Sequence, residues 1–100
     1  METLDEVIHQ PTRTKIIVFL TVNGAVNFNT LKLALNLTDG QIATQMRQLE
    51  AAGYIDVKKD FVNRKPQTTY SLTEKGRENF NAYLDSLAEI LKHRLPVAES

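Results

Sequence analysis

Residues 38–53, TDGQIATQMRQLEAAG, contain a helix start, a buried face and a stop within one short stretch. Thr38 is placed to cap a first turn, and Gln41 stands three residues on, where a capping box takes Glu or Gln. Asp39 sets a carboxylate at the positive end of the helix dipole. Gly53 closes the segment, because glycine enters the left-handed position after a helix without a steric cost. Ile42, Met46 and Leu49 recur at i, i+4 and i+7, which predicts one buried stripe. The opposite face holds Thr44, Arg47, Gln48 and Ala51, flanked by Gln41 and Gln45, with Glu50 as its only acid near the edge. Amides and a guanidinium are the groups that pair with base edges in a major groove. A merely solvated face is the alternative, and the neighbouring segments weigh against it.

Upstream, Asn27 is suited to cap a short helix bearing Phe28, Leu31, Ala34 and Leu35 at helical spacing. Asn36, Leu37 and Thr38 leave room only for a tight turn. A short helix and a longer one meeting across about four residues make a helix-turn-helix, which pushes the second helix outward. In an ordinary helical hairpin the polar outer face over 41–51 would gain little. Before this unit, residues 12–22 read as an apolar helix with Ile16, Ile17, Phe19 and Leu20, closed by Asn23-Gly24. Leu4, Val7 and Ile8 share one face of a first helical segment that Pro11 interrupts.

After Gly53 the period changes to two. Ile55 and Val57 fall on one side of a strand, and Tyr70 and Leu72 on one side of another. The intervening 61–67 looks too long for a two-residue hairpin turn, so a two-stranded ribbon with a basic, proline-stiffened tip is expected. Alone it would be marginal and must lean on the helices. Lys58 and Lys59 at its base and Arg64 and Lys65 at its tip suit a phosphate backbone; a solubilising charged hairpin is the open alternative. Thr73 then caps a long helix with Phe80, Leu84, Leu87 and Leu91 in one stripe, widened by Tyr83 and Ile90. Running to about Arg94 it spans ~30 Å, and Pro96 stops it. That stripe asks for more cover than the domain offers. A homodimer contact is therefore expected through Leu4, Val7, Ile8, Phe80, Tyr83, Leu84, Leu87, Ile90 and Leu91; the alternative is a helix folded back on its own domain. The fold class is mainly α with a small antiparallel β-ribbon (α+β).

One hundred residues support a single domain with one core and show no internal repeat or linker. The chain has no cysteine, which removes disulfides, thiolate metal sites and cysteine nucleophiles. His9 and His93 lie far apart without ligand partners nearby, so neither a metal nor a cofactor is expected. The acid pairs Asp56/Asp60 and Glu74/Glu78 lack a His, Cys or glycine-rich loop beside them, and Thr73 reads as a helix entry, so no catalytic residue is assigned. No apolar run nears the ~20 residues of a membrane span, and no leader precedes Leu4, which suggests a cytoplasmic protein. The net charge is zero, which speaks against a polyanionic partner. Its distribution is uneven: residues 11–72 hold eight cations against four acids, and both ends are acidic.

The order helix, helix, turn, helix, ribbon, long helix is carried by recognisable stretches. They are Pro11-Thr12-Arg13-Thr14-Lys15-Ile16-Ile17, Phe28-Asn29-Thr30-Leu31-Lys32, and Gln45-Met46-Arg47-Gln48-Leu49-Glu50-Ala51-Ala52-Gly53-Tyr54-Ile55. Lys59, Arg64-Lys65-Pro66-Gln67-Thr68 and the helix entry Leu72-Thr73-Glu74-Lys75-Gly76-Arg77 complete the set. This resembles the winged helix-turn-helix transcriptional regulators, in particular small single-domain members related to the multiple-antibiotic-resistance regulator (MarR-like) group, from about residue 4 to 92. The resemblance implies one domain over 1–100, with dimerising terminal helices over 1–10 and 73–95, a helix-turn-helix over 27–53 and a wing over 54–72. It implies a recognition helix, 38–52, in the major groove of double-stranded DNA, with wing residues 58–67 on the backbone or minor groove. By position, Gly40, Gln41, Thr44, Gln45, Arg47 and Gln48 would face bases or nearby phosphates, and Lys58, Lys59, Arg64 and Lys65 the backbone.

A single Arg on the reading face and a modest wing make a weak monomeric binder, offering ~4–5 phosphate contacts and losing affinity steeply with salt. A two-fold homodimer doubles them and implies a pseudo-palindromic operator with half-sites ~34 Å apart. Arsenic-repressor-like relatives sense metals through cysteines that this chain lacks. Relatives also often bind small apolar effectors between the dimer helices and the reading head, though no residue here names one. The competing expectation, prompted by the neutral charge, is a winged-helix protein–protein interaction module that does not read DNA.

Overall fold

The computed structural model describes residues 4–94. Helix α1 (Pro11–Asn23) starts on Pro11, whose missing N–H is no loss in a first turn, and the Gln10 side chain accepts the Arg13 N–H at 2.7 Å. It ends at Gly24, with φ 76° and its N–H on the Leu20 carbonyl at 2.9 Å. Residues 4–10, expected to be helical, form turns instead. The Asp5 carboxylate accepts the Val7 and Ile8 N–H groups at 2.8 and 3.2 Å, a local bond that competes with a helical ladder. Residues 1–3 of that expected segment, and 95 of the second, lie outside the described residues.

Strand β1 (Val26–Asn27) leads directly into α2 (Phe28–Leu35), and Asn27 serves both: it pairs with Thr69 and caps α2 by accepting the Thr30 N–H at 2.8 Å. Helix α3 (Asp39–Ala51) follows, then β2 (Ile55–Val62), β3 (Lys65–Leu72) and the long α4 (Glu74–Arg94). The sheet has three antiparallel strands in the order β1-β3-β2, one more than the expected ribbon, because two residues are too few to display a period. The ribbon itself is longer than its sequence suggests. Pairing continues to Val62 opposite Lys65, so only Asn63 and Arg64 turn the chain, at φ 52° and 67°. Two positive φ values match the twist of a tight hairpin.

The core is continuous. Ile8, Ile16, Ile17, Leu31, Ile42 and Leu49 are wholly buried, with Tyr54, Ile55, Tyr70, Leu72, Phe80 and Tyr83 closing around them. Burial of each such aliphatic side chain contributes about 1.5–3 kcal/mol. The start of α4 is fastened to the end of α3. The Thr73 hydroxyl donates to the Gly53 carbonyl at 2.6 Å and accepts the Gly76 N–H at 2.9 Å, while the Thr73 N–H donates to the Tyr54 carbonyl at 3.0 Å. Gly76 is buried there, and a Cβ on it would stand 2.1 Å from the Tyr54 carbonyl oxygen. The molecule measures 60 × 24 × 22 Å, with α4 the longest of its helices.

Candidate nucleic-acid interface

Helix α3 is held at both ends by its own sequence. Thr38 accepts the Gln41 N–H at 3.1 Å and the Gln41 Oε1 accepts the Thr38 N–H at 2.9 Å, a complete capping box. At the other end Gly53, φ 80°, donates to the Glu50 carbonyl and Tyr54 to the Leu49 carbonyl, both at 2.9 Å, the paired bonds of a Schellman stop. Asn36, φ 54°, reverses the chain between α2 and α3, and Lys32 meets Asp39 across the turn at 2.6 Å. That exposed ion pair contributes at most about 1 kcal/mol. Ile42, Met46 and Leu49 face inward, which leaves Gln41, Thr44, Arg47 and Gln48 exposed on the outer side. Gly40 is exposed as well, with open space where a side chain would stand.

Gln45 is placed differently from its neighbours. Its Oε1 accepts a hydrogen bond from Arg13 Nη1 at 2.7 Å, and the residue is half-buried, so its carbonyl is already engaged within the protein. Arg13 also donates through Nε to the Val7 carbonyl. Nothing local to Arg13 in the sequence signals a partner 32 positions away. Gln41 likewise commits its oxygen to the capping box.

The four wing cations, Lys58, Lys59, Arg64 and Lys65, are all exposed but do not share one face. Ladder register and strand alternation put Ile55, Val57, Lys59 and Phe61 on one side, opposite Leu72, Tyr70, Thr68 and Pro66. Lys58 and Val62 fall on the other. Lys58 approaches Asp60 at 4.0 Å. Lys59 and Arg47 line one cleft of about 290 Å³ between α3 and the ribbon, together with Glu50 and Tyr70. The Tyr70 hydroxyl is pushed up in pKa by burial and then by the Glu50 charge. Glu50 sets a carboxylate in that cleft beside Arg47 and Lys59, whereas Arg64 and Lys65 stand at the turn, outside it. Phe61 beside them is 73% exposed; it falls in the stretch expected to be the ribbon tip, and the signal that singles it out is a large apolar residue close to two cations.

The residues expected to dimerise separate into two groups. Ile8, Phe80 and Tyr83 lie inside the chain's own core, and Tyr83 further shares a hydrogen bond of 2.8 Å with His9 Nδ1, so they have no surface to offer a second copy. Leu4, Val7 and Leu87 are partly covered by that core, and Ile90 is half-exposed. Leu84 and Leu91 are open, at 45% and 54%. The N-terminal turn is anchored by the Tyr54 hydroxyl, which donates to the Asp5 carboxylate; burial first, then that bond and the Asp5 charge, push the Tyr54 pKa up to about 12. Among the described residues no helix is long and apolar enough to cross a membrane, and no three His, Asp or Glu side chains converge as metal ligands would.

Comparison with known proteins gives this geometry a context. Residues 12–91 match the family model described as a winged helix DNA-binding domain. The chain is 31% identical over 88 residues to the uncharacterized protein MJ0432 of Methanocaldococcus jannaschii, across 88% of this chain and 96% of that one. A transcriptional regulator homologue protein from Pyrococcus horikoshii OT3 superposes with a TM-score of 0.83 at 27% identity, covering 89% of this chain and 88% of the other. The crystal structure of MarR gives a TM-score of 0.73 at 17% identity, over 89% and 67% of the two chains, a likeness of fold.

Proposed function

This chain belongs to the winged helix DNA-binding domain family, a family of transcriptional regulators and not of enzymes, and from that premise we propose that it reads double-stranded DNA sequence-specifically as a homodimer. The observation that carries the reading is the division of α3: Ile42, Met46 and Leu49 are buried while Thr44, Arg47 and Gln48 stand free on the opposite side. Arg47 supplies the bidentate donor that a guanine edge accepts, and Gln48 the amide suited to adenine. Arg64 and Lys65 neutralise phosphates, and Gln45 orients the helix through Arg13 more than it contacts bases. Exposed Leu84 and Leu91 on α4, with Leu87 and Ile90 between them, form the face that a second copy covers. Two copies then address a pseudo-palindromic operator.

Selection of bound duplexes from a random pool by the purified full chain, with Arg47→Ala and Arg64→Ala alongside, tests this. A two-fold symmetric motif that weakens with Arg47→Ala is the expected result. No enriched motif at moderate salt defeats it. The zero net charge favours one other reading, a winged-helix module that binds protein. Stable co-purification of a single protein through 41–51, with no DNA affinity at low salt, would establish that instead.

A further inference from the structure

We propose that Phe61, backed by Pro66, is a wedge that the wing inserts at a base step of the minor groove, bending the operator. The inference rests on the DNA-reading function above and adds a contact and a deformation to it. Phe61 lies ~20 Å along β2 from the buried Ile55 at the rise of an extended strand, near the end of the ribbon that shares a cleft with Phe28 and Asn29 at the start of α2. It is 73% exposed, and Val62 next to it is 45% exposed. Register sets Phe61 directly opposite Pro66, so two apolar rings share one face one pair short of the turn.

The surrounding charge selects the occupant. Between Asp60 and Glu74 the chain has no acid, while Arg64 and Lys65 follow Phe61 at the turn. Asp60 itself is turned back on the ribbon, its Oδ1 accepting the Phe61 N–H at 2.8 Å. An apolar pair directly behind a turn that carries Arg64 and Lys65 fits a polyanion with an apolar floor, which describes a minor groove: phosphates line its edges and stacked bases its depth. Phe and Pro are among the side chains that pry base steps apart there, and pyrimidine–purine steps yield most readily. With α3 in the major groove, as the proposed function has it, Arg64 and Lys65 at the turn meet the phosphates next to the inserted ring.

The test uses the full chain and its selected duplex with 2-aminopurine at the flanking steps, read together with end-to-end energy transfer for the bend. Wild type should brighten one 2-aminopurine position, shorten the end-to-end distance and favour a TA or CA/TG step there. Phe61→Ala should bind on the order of tenfold more weakly, without brightening, bend or step preference. Phe61→Leu, still apolar, should retain most of each. Phe61→Ala should melt like wild type, since an exposed side chain adds little to the core. If Phe61→Ala binds and bends DNA as wild type does, the wedge is refuted while DNA reading stands. If Phe61→Ala lowers the mass of the free protein, Phe61 is a protein contact and the wedge is again refuted. If wild type selects no duplex at all, the function beneath the inference fails first.

Discussion

Arg13 joins Gln45 through a hydrogen bond of 2.7 Å although 32 positions separate them, and the same guanidinium also holds the Val7 carbonyl. One side chain thus links the N-terminal turn to α3. Arg13→Met keeps the stem and removes both bonds. It should cost about 1–3 kcal/mol in urea unfolding, the scale of bonds to a charged donor. It should also alter the base preference beneath Gln45, which becomes free to reorient. An unchanged motif together with unchanged stability would show the bridge to be idle.

Arg47→Ala and Arg64→Ala should fail differently. Loss of a bidentate contact at Arg47 should cost ~1–3 kcal/mol on the preferred sequence and relax discrimination at one base pair. Loss of Arg64 should weaken binding to all sequences alike and lower the salt slope by about one contact per subunit. Affinity titrations on specific and scrambled duplexes at several salt concentrations separate the two.

Gly76→Ala sets two opposed effects against each other. Alanine favours a helix over glycine by about 1 kcal/mol. Its Cβ, however, would stand 2.1 Å from the Tyr54 carbonyl oxygen, a backbone atom that cannot rotate away. Overpacking of this kind costs about 1–3 kcal/mol and occasionally more, so destabilisation wins. The thermal midpoint should fall by several degrees, ~4–8 °C per kcal/mol in a domain of this size. A rise would mean that α4 shifts at no cost.

Tyr54 predicts an alkaline transition. Its pKa of about 12, set by burial and then by the Asp5 bond and charge, lies above the ~10 of an unfolded tyrosine. The folded chain therefore holds this proton more tightly. The associated stability is complete below pH 10 and is lost as the pH climbs through about 12. Tyr54→Phe should flatten that decline while lowering stability at neutral pH, where Asp5 loses its donor. Tyr70, raised chiefly by burial, leaves a residual slope. Urea midpoints from pH 8 to 12 for both proteins check the difference.

Leu84→Glu combined with Leu91→Glu should halve the mass seen in sedimentation equilibrium and leave a folded monomer, because both side chains lie outside the core. A dimer that persists would place the contact elsewhere.

The parts of the fold legible from sequence were those whose chemistry is local. Thr38, Gln41 and Gly53 define α3 because caps and stops act over three or four residues. The Asn63-Arg64 turn was not legible: neither residue is glycine, and Arg64 takes a positive φ only because the pairs on both sides hold it there. The need for glycine at 76 arises where α4 passes the Gly53-Tyr54 backbone, which no periodicity reports. The same holds at the interface. Helical spacing put Gln45 on the outer flank, and only the approach of α1 shows its oxygen already taken.

The ribbon's register has an evolutionary corollary. Past Val57 the residues of β2 are exposed on both faces, so the turn rather than a buried stripe keeps the two strands aligned. Removing one residue between 58 and 62 would swing every side chain beyond it to the reverse side, taking Phe61 from its place opposite Pro66. Homologues with shorter or longer arms should therefore differ by even numbers, trimmed equally from each strand, with the two left-handed residues kept at the bend.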